Sequence, residues 1–138
     1  MKADFLDAHQ RHWDDAGHLL QAQRWANADH LYGFAAECGL KQLMQRFGMS
    51  VDETTGSPVD RKDWRHADTI WARFESYRSG KAEGAGYVLP TSNPFDSWDV
   101  SDRYAPQSNF DKARAQSHQA GAKTVRRLIV KAQREGLL

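Results

Sequence analysis

The sequence predicts an all-α protein, an antiparallel four- to five-helix up-and-down bundle with a long apolar loop before the last helix. Four segments carry apolar residues at the three- and four-residue spacing of an amphipathic helix. Glycine and proline concentrate between these segments, where they favour turns. A chain of 138 residues has the size of one domain, so we expect residues 1–138 to form a single unit. We predict helices at about 3–23, 27–47, 63–79 and 109–135.

The second predicted helix is the centre of the bundle. Its apolar residues cover more than half of the helical circumference, so it must contact more than one neighbour. Small residues allow those neighbours to approach closely: Gly33, Ala35, Ala36 and Gly39. We expect Asn27 or Asp29 to cap its start and Gly48 to end it in a left-handed turn. The short connection at residues 24–27 predicts that helices one and two run antiparallel.

Two further helices are predicted on either side of an apolar loop. Trp64, Ile70 and Phe74 belong to the buried face of the third helix, and Gly80 stops it. The segment from Gly80 to Gln107 combines glycine and proline with large apolar residues, so we expect it to fold onto the body of the protein. In the last helix four basic residues share one face: Lys123, Arg127, Lys131 and Arg134.

Composition and charge exclude several classes of protein. The net charge of +1 argues neither for nor against a polyanionic partner, so only the distribution of charge can indicate one. The single cysteine, Cys38, excludes an internal disulfide bond. No signal peptide opens the chain and no apolar run is long enough to cross a membrane, so we expect a cytosolic protein without a membrane partner. His9, His12 and Asp15 spread around the first helix, and we expect neither a metal nor a cofactor.

Two features of the sequence are candidates for binding an anion. Arg103 is followed by Tyr104 and Pro106, which would hold its guanidinium in place to bind an anion. The same side chain could instead cap helix carbonyls or pair with Asp99 or Glu37, and the sequence favours neither interpretation. The basic face of the last helix is either a phosphate-binding surface or an ordinary solvated face. No aromatic residue is interleaved with it, which favours the solvated face.

Three segments together carry a resemblance to a known family. The helix within Arg24–Gly48 has an Ala-Ala-Glu-x-x-Leu-Lys pattern that begins at Ala35. His66 opens the third predicted segment, and Arg103-Tyr104-Ala105-Pro106 precedes the last helix. In this order they resemble the second helix, the third-helix histidine and the Arg-Tyr-Pro segment of HEPN (higher eukaryotes and prokaryotes nucleotide-binding) domains, in which the proline follows the tyrosine directly. The resemblance spans about Asp4 to Arg134.

The resemblance implies a function as well as a fold. It implies a helical bundle that often dimerises and that binds a nucleotide or RNA phosphate, here without established catalysis. By resemblance, Arg103 would contact phosphate, Tyr104 would stack on the ligand or orient it, and His66 would donate a hydrogen bond. Family members act as toxins, as defence components or as partners of small nucleotidyltransferases, so a nucleotidyltransferase or an antitoxin is an expected partner.

Two alternative functions stay open at this point. Family members that cut RNA carry an Arg-x4–6-His motif near the start of the last helix, whereas here the longer segment Tyr104–Ser117 separates Arg103 from His118. A metal-independent ribonuclease toxin would therefore need folding to bring Arg103 and His118 together, with the histidine as general acid and base. The other alternative is a purely protein-binding module, such as an antitoxin or a scaffold.

A homodimer is predicted from two apolar features. Phe34 lies on the otherwise polar face of the second helix, beside Glu37 and Lys41. The loop from Tyr87 to Trp98 is rich in large apolar residues. Because apolar patches at a surface mark protein contacts, we expect Phe34 and this loop to contact a second copy of the chain.

Overall fold

Four α-helices and no β-strand make up the computed structural model, which describes residues 1–138. The helices are α1 (Phe5–Gln21), α2 (Trp25–Arg46), α3 (Ile70–Arg78) and α4 (Lys112–Arg134). Short 3-10 turns occupy the connections, at Arg61–Asp63, Ala82–Gly86, Val100–Tyr104 and Gln107–Asn109. The predicted all-α bundle is confirmed. Every helix is too short or too polar to span a lipid bilayer.

Helix α2 lies at the centre of the bundle and packs against α1, α3 and α4. The connection between α1 and α2 spans only residues 22–24, so these two helices run antiparallel. They are joined in the core by His9, whose Nδ1 donates to the carbonyl oxygen of Ala35 at 2.7 Å. Gly39 lets both neighbours approach, because a Cβ here would lie 2.7 Å from Val125 of α4 and 2.8 Å from His9. The close approach of α1 and α4 to α2, predicted from its small residues, therefore occurs at Gly39.

The start of α2 differs from the prediction, whereas its end agrees with it. The helix begins at Trp25, after Arg24, whose side chain makes no capping hydrogen bond. Asn27 and Asp29 lie inside the helix, so neither is the predicted cap. The carboxylate of Asp29 is buried and pairs with α4 instead. Gly48 follows the helix with a φ of 109°, which is the expected left-handed conformation.

Helix α3 begins at Ile70, later than the predicted start at residue 63. The buried carboxylate of Asp63 explains the difference, because it accepts hydrogen bonds from Arg73 Nε at 2.5 Å and from the Tyr77 hydroxyl at 2.8 Å. These bonds hold the 3-10 turn Arg61–Asp63 against the side of α3. The residues that follow this turn therefore do not extend α3 at its N-terminus. Trp64, predicted on the buried face, is 59% exposed as a result.

The loop between α3 and α4 folds onto the body of the protein, as predicted. Its buried large side chains are Tyr87, Leu89, Phe95, Trp98 and Phe110. Asn93 fixes the middle of the loop, because its side-chain amide donates to the carbonyl oxygens of Ala67 and Asp68, both at 2.9 Å. Helix α4 then begins at Lys112, with the carboxylate of Asp111 as its cap.

Candidate functional site

Arg103 and Tyr104 lie on the protein surface, at the end of the 3-10 turn Val100–Tyr104. The guanidinium of Arg103 lies over the Tyr104 ring, with Cζ 4.8 Å from the ring centroid. Tyr104 itself is 78% exposed. No ion pair joins Arg103 to Asp99 or Glu37, so the pairing considered from the sequence does not form. The structure leaves this guanidinium open to an anion from solvent.

His66 lies in a separate cluster with Glu37 and Lys41. Its Nδ1 is 3.0 Å from Oε2 of Glu37, and Nζ of Lys41 donates to Oε1 at 2.7 Å. The hydrogen bond with Glu37 raises the pKa of His66 above its usual value. No hydrogen bond or ion pair links this cluster to Arg103 or Tyr104. The three predicted ligand-binding residues therefore do not share one contact network.

A buried charged cluster that sequence reasoning missed joins α2 to α4. His118 Nδ1 lies 2.5 Å from Oδ1 of Asp29, and Arg114 Nε lies 3.4 Å from Oδ2. Arg114 also donates to the carbonyl oxygen of Ser97 at 2.9 Å and pairs with Asp102 at 3.3 Å. The available signal was the spacing of Arg114 and His118, which places both on one face of α4. Nothing in the sequence indicated a partner 89 residues away.

The burial of His118 bears on the ribonuclease alternative. The residue is 2% exposed, and its ring stacks on that of Phe95 with the centroids 5.0 Å apart. Arg103 is exposed on its 3-10 turn, and no hydrogen bond or ion pair joins it to His118. Folding does not bring together the two side chains on which that alternative depended.

The second half of α4 presents the basic face predicted from the sequence. Lys123, Arg127 and Arg134 are exposed and form no ion pair, and we refer to these three residues as the basic face. They line a cleft of about 540 Å³ between α4 and α1. An aromatic residue does lie beside them, contrary to the sequence interpretation: Trp13 of α1 carries the guanidinium of Arg126 over its ring, at 5.4 Å.

The features that predicted a homodimer are mostly packed against other parts of the same chain. Phe34 contacts the rings of His12, His30 and Trp98, at centroid distances of 5.6, 4.8 and 5.4 Å. Burial in this cluster lowers the pKa of His30 below its usual value. Most large apolar side chains of the loop Tyr87–Trp98 are buried in the core. Phe34 is half-buried and Val88 is 60% exposed, so the homodimer stays a prediction.

Neither a cluster of metal ligands nor an activated thiol is present. No group of three or more His, Cys, Asp or Glu side chains is arranged to hold a metal ion. Burial raises the pKa of Cys38 to about 12, so the thiol stays protonated at neutral pH. Comparisons with protein-family models, with curated proteins and with solved structures find no match.

Proposed function

We propose that this protein binds single-stranded RNA by its backbone phosphates, through the basic face of α4, without catalysing a reaction. The observation that carries the proposal is the set of three exposed cations, Lys123, Arg127 and Arg134, which no carboxylate of the protein neutralises. Neutralising phosphates with such side chains releases counterions, and this release supplies most sequence-independent affinity for nucleic acid. The resemblance to HEPN domains supports the same class of ligand.

The spacing along α4 suits a run of phosphates. The outermost cations, Lys123 and Arg134, are separated by about 16 Å at the rise of an α-helix. A nucleic-acid strand places several consecutive phosphates within that length. No acidic residue occurs between Lys112 and Arg134, so nothing on the helix itself repels the strand over this distance. We infer that the three cations contact different phosphates.

The surroundings of the basic face add one favourable group and one unfavourable group. The half-buried ring of Trp13 gives an aromatic surface beside the cations, and nucleobases stack on such rings with little regard to sequence. Arg126 is fixed there, because it donates to Oε1 of Gln10 at 2.8 Å. Glu135 is the acidic residue that lines the cleft, and Lys131 lies 3.9 Å from its carboxylate. The balance of charge in the cleft stays strongly positive.

Arg103 offers a weaker site for the same ligand. It is a single cation, and Asp99 and Asp102 stand close to it in the sequence, where their carboxylates repel phosphate. Asp102 is neutralised only in part, by Arg114 at 3.3 Å. We therefore place the main contact on α4. The toxin, defence and nucleotidyltransferase-partner systems stay predictions from the resemblance.

The test is the affinity for a labelled single-stranded RNA of about 12 nucleotides, measured by fluorescence anisotropy. We expect Lys123→Glu/Arg127→Glu to weaken binding about 30-fold, which corresponds to about 1 kcal/mol for each lost phosphate contact. The matched control is Arg61→Glu/Lys62→Glu, which makes the same change in net charge at exposed residues outside the cleft. We expect it to weaken binding less than about threefold, since the attraction of distant charges is screened by salt.

Two results would overturn the proposal. If both double variants lose affinity equally, the RNA responds to net charge and not to α4. If neither variant loses affinity, the RNA binds elsewhere or the protein does not bind it specifically. Circular dichroism of both variants checks that the helical fold is retained.

A further inference from the structure

A second, smaller cavity lies where the start of α1, the C-terminal part of α2 and the segment before α3 meet. Its volume is about 250 Å³. Phe5, Pro58 and Trp64 contribute apolar surface to it, Lys41 contributes an ammonium and His66 contributes an imidazole. None of these residues belongs to the basic face, so the cavity is a separate site whose ligand does not depend on RNA binding.

The polar groups of this cavity hold hydrogen-bond donors that the protein does not use. Lys41 and His66 are each bonded to one carboxylate oxygen of Glu37, at 2.7 and 3.0 Å. An ammonium has three N–H donors, so Lys41 keeps two after its bond to Glu37. Nδ1 of His66 donates to Glu37, so Nε2 carries a hydrogen only in the protonated ring, where it is a donor without a partner in the protein. The Lys41 side chain is only 9% exposed, so water satisfies its remaining donors poorly.

The charges around the cavity favour an anion. Glu37 already neutralises one positive charge, because both of its oxygens are bonded. When His66 is protonated, Lys41 and His66 together exceed Glu37 by one positive charge. An anion between the two cations would remove this excess and accept from both unused donors.

The apolar surface favours a flat ring of limited size. Trp64 is held at the rim of the cavity because its Nε1 donates to the carbonyl oxygen of Pro58 at 2.8 Å. Its ring is largely exposed and, with Phe5, offers an aromatic surface for stacking. Sites for drug-sized molecules enclose about 300–1,000 Å³, so a cavity below this range suits a single ring.

We propose that this cavity binds a small aromatic carboxylate. The carboxylate accepts hydrogen bonds from Nζ of Lys41 and from Nε2 of protonated His66, and the ring lies against Phe5 and Trp64. The arrangement combines an anion site with an aromatic wall, and both parts are needed for affinity. The proposal is independent of RNA binding by α4.

The first experiment separates the two parts of the ligand with the full chain and isothermal titration calorimetry. Benzoate is the probe, benzamide is its neutral counterpart of similar shape, and acetate is the anion without a ring. We expect benzoate to bind at least about tenfold more tightly than either. If benzamide binds as tightly as benzoate, the proposed anion site is wrong. If acetate or inorganic phosphate binds as tightly as benzoate, the proposed role of the aromatic wall is wrong.

The second experiment removes the groups of the protein. We expect Trp64→Ala and His66→Gln each to weaken benzoate binding about fivefold to tenfold. The control variant is Val88→Ala, which removes another exposed apolar side chain outside the cavity and should leave binding unchanged. Circular dichroism shows whether each variant is folded. Folded Trp64→Ala and His66→Gln proteins that bind benzoate as wild type does would overturn the proposal.

The pH dependence gives an independent readout. The charged groups that act on His66 are Glu37, Lys41, Asp68 and Asp99. Benzoate itself keeps its charge between about pH 5.5 and 8. Wild-type binding should therefore strengthen as the pH falls through the raised pKa of His66, whereas His66→Gln should show no such change. An identical pH profile in the two proteins would contradict the assignment of His66.

Discussion

The two halves of α4 use their basic residues in opposite ways. In the first half, His118 is hydrogen-bonded to the buried carboxylate of Asp29, and Arg114 forms an ion pair with it at 3.4 Å. Both contacts fix α4 against α2. In the second half, Lys123 and Arg127 have no charged partner and face solvent. One helix therefore contains cations that serve the fold and cations that are available to a ligand. The two kinds of cation carry the same charge, and they differ only in whether a carboxylate of the protein pairs with them.

The first half explains why a histidine in a promising position is not free to act. His118 is closed off by Phe95 on one side and by Asp29 on the other. A general acid or base must reach the atom that it protonates or deprotonates. The buried pair instead holds α4 in position against α2, because a buried charge that loses its partner destabilises the fold. The surface that we propose for RNA binding lies where such pairing is absent.

The largest effect that we expect comes from breaking the buried pair. Asp29→Ala removes the partner of His118 and Arg114 and should lower the free energy of unfolding by about 3–5 kcal/mol. Urea denaturation followed by circular dichroism measures it. Asp15→Ala is the control, since Asp15 is exposed and forms no hydrogen bond or ion pair, and it should change stability by less than about 0.5 kcal/mol. Equal stability of the two variants would show that the buried cluster does not hold α4 in place.

The boundary between the two halves gives a smaller effect. A Cβ on Gly121 would lie 2.7 Å from Pro94 and 2.9 Å from Phe95. Gly121→Ala should therefore lower the free energy of unfolding by about 1 kcal/mol, although alanine has a higher helix propensity than glycine. Gly17→Ala in α1 meets no atom within 4 Å and should raise it by about 0.5–1 kcal/mol. Thermal and urea unfolding of both variants test this. If both substitutions raise the free energy of unfolding, the loop does not pack tightly against α4 at Gly121.

The sequence predicted the helices where local periodicity decides the structure. Helix α2 is apolar around most of its circumference, and its burial follows from that pattern alone. The start of α3 was wrong, although Trp64 matched the helical spacing, because Asp63 bonds to Arg73 and Tyr77 instead of opening the helix. Periodicity does not describe side-chain bonds of this kind.

The candidate site was harder to predict than the fold because its parts come from distant segments. Asp29 looked like a helix cap, yet its partner His118 lies on another helix. The aromatic residue missing from the basic stripe of α4 is supplied by Trp13 of α1. The basic stripe itself was visible, since it lies within one helix. Which of its members stay unpaired, such as Arg127, follows only from the packing.

The smallest effect concerns Arg103, which resembles the second half of α4 in being unpaired but stands alone. We expect Arg103→Ala to change RNA affinity by less than about twofold and to leave stability unchanged, because the guanidinium lies over an exposed ring, that of Tyr104. Fluorescence anisotropy with the same RNA measures the affinity. A loss as large as that of Lys123→Glu/Arg127→Glu would move the main phosphate contact to the 3-10 turn and contradict the assignment to α4.

The salt dependence of RNA binding tests the division of α4 most directly. Each phosphate contact with a single strand contributes about −0.7 to the slope of log K against log salt concentration, so three contacts predict a slope of about −2 for the wild type. Lys123→Gln/Arg127→Gln leaves one cation of the basic face and should reduce the slope to about −0.7. An unchanged slope in this variant would contradict the account, because the phosphates would then be contacting other residues.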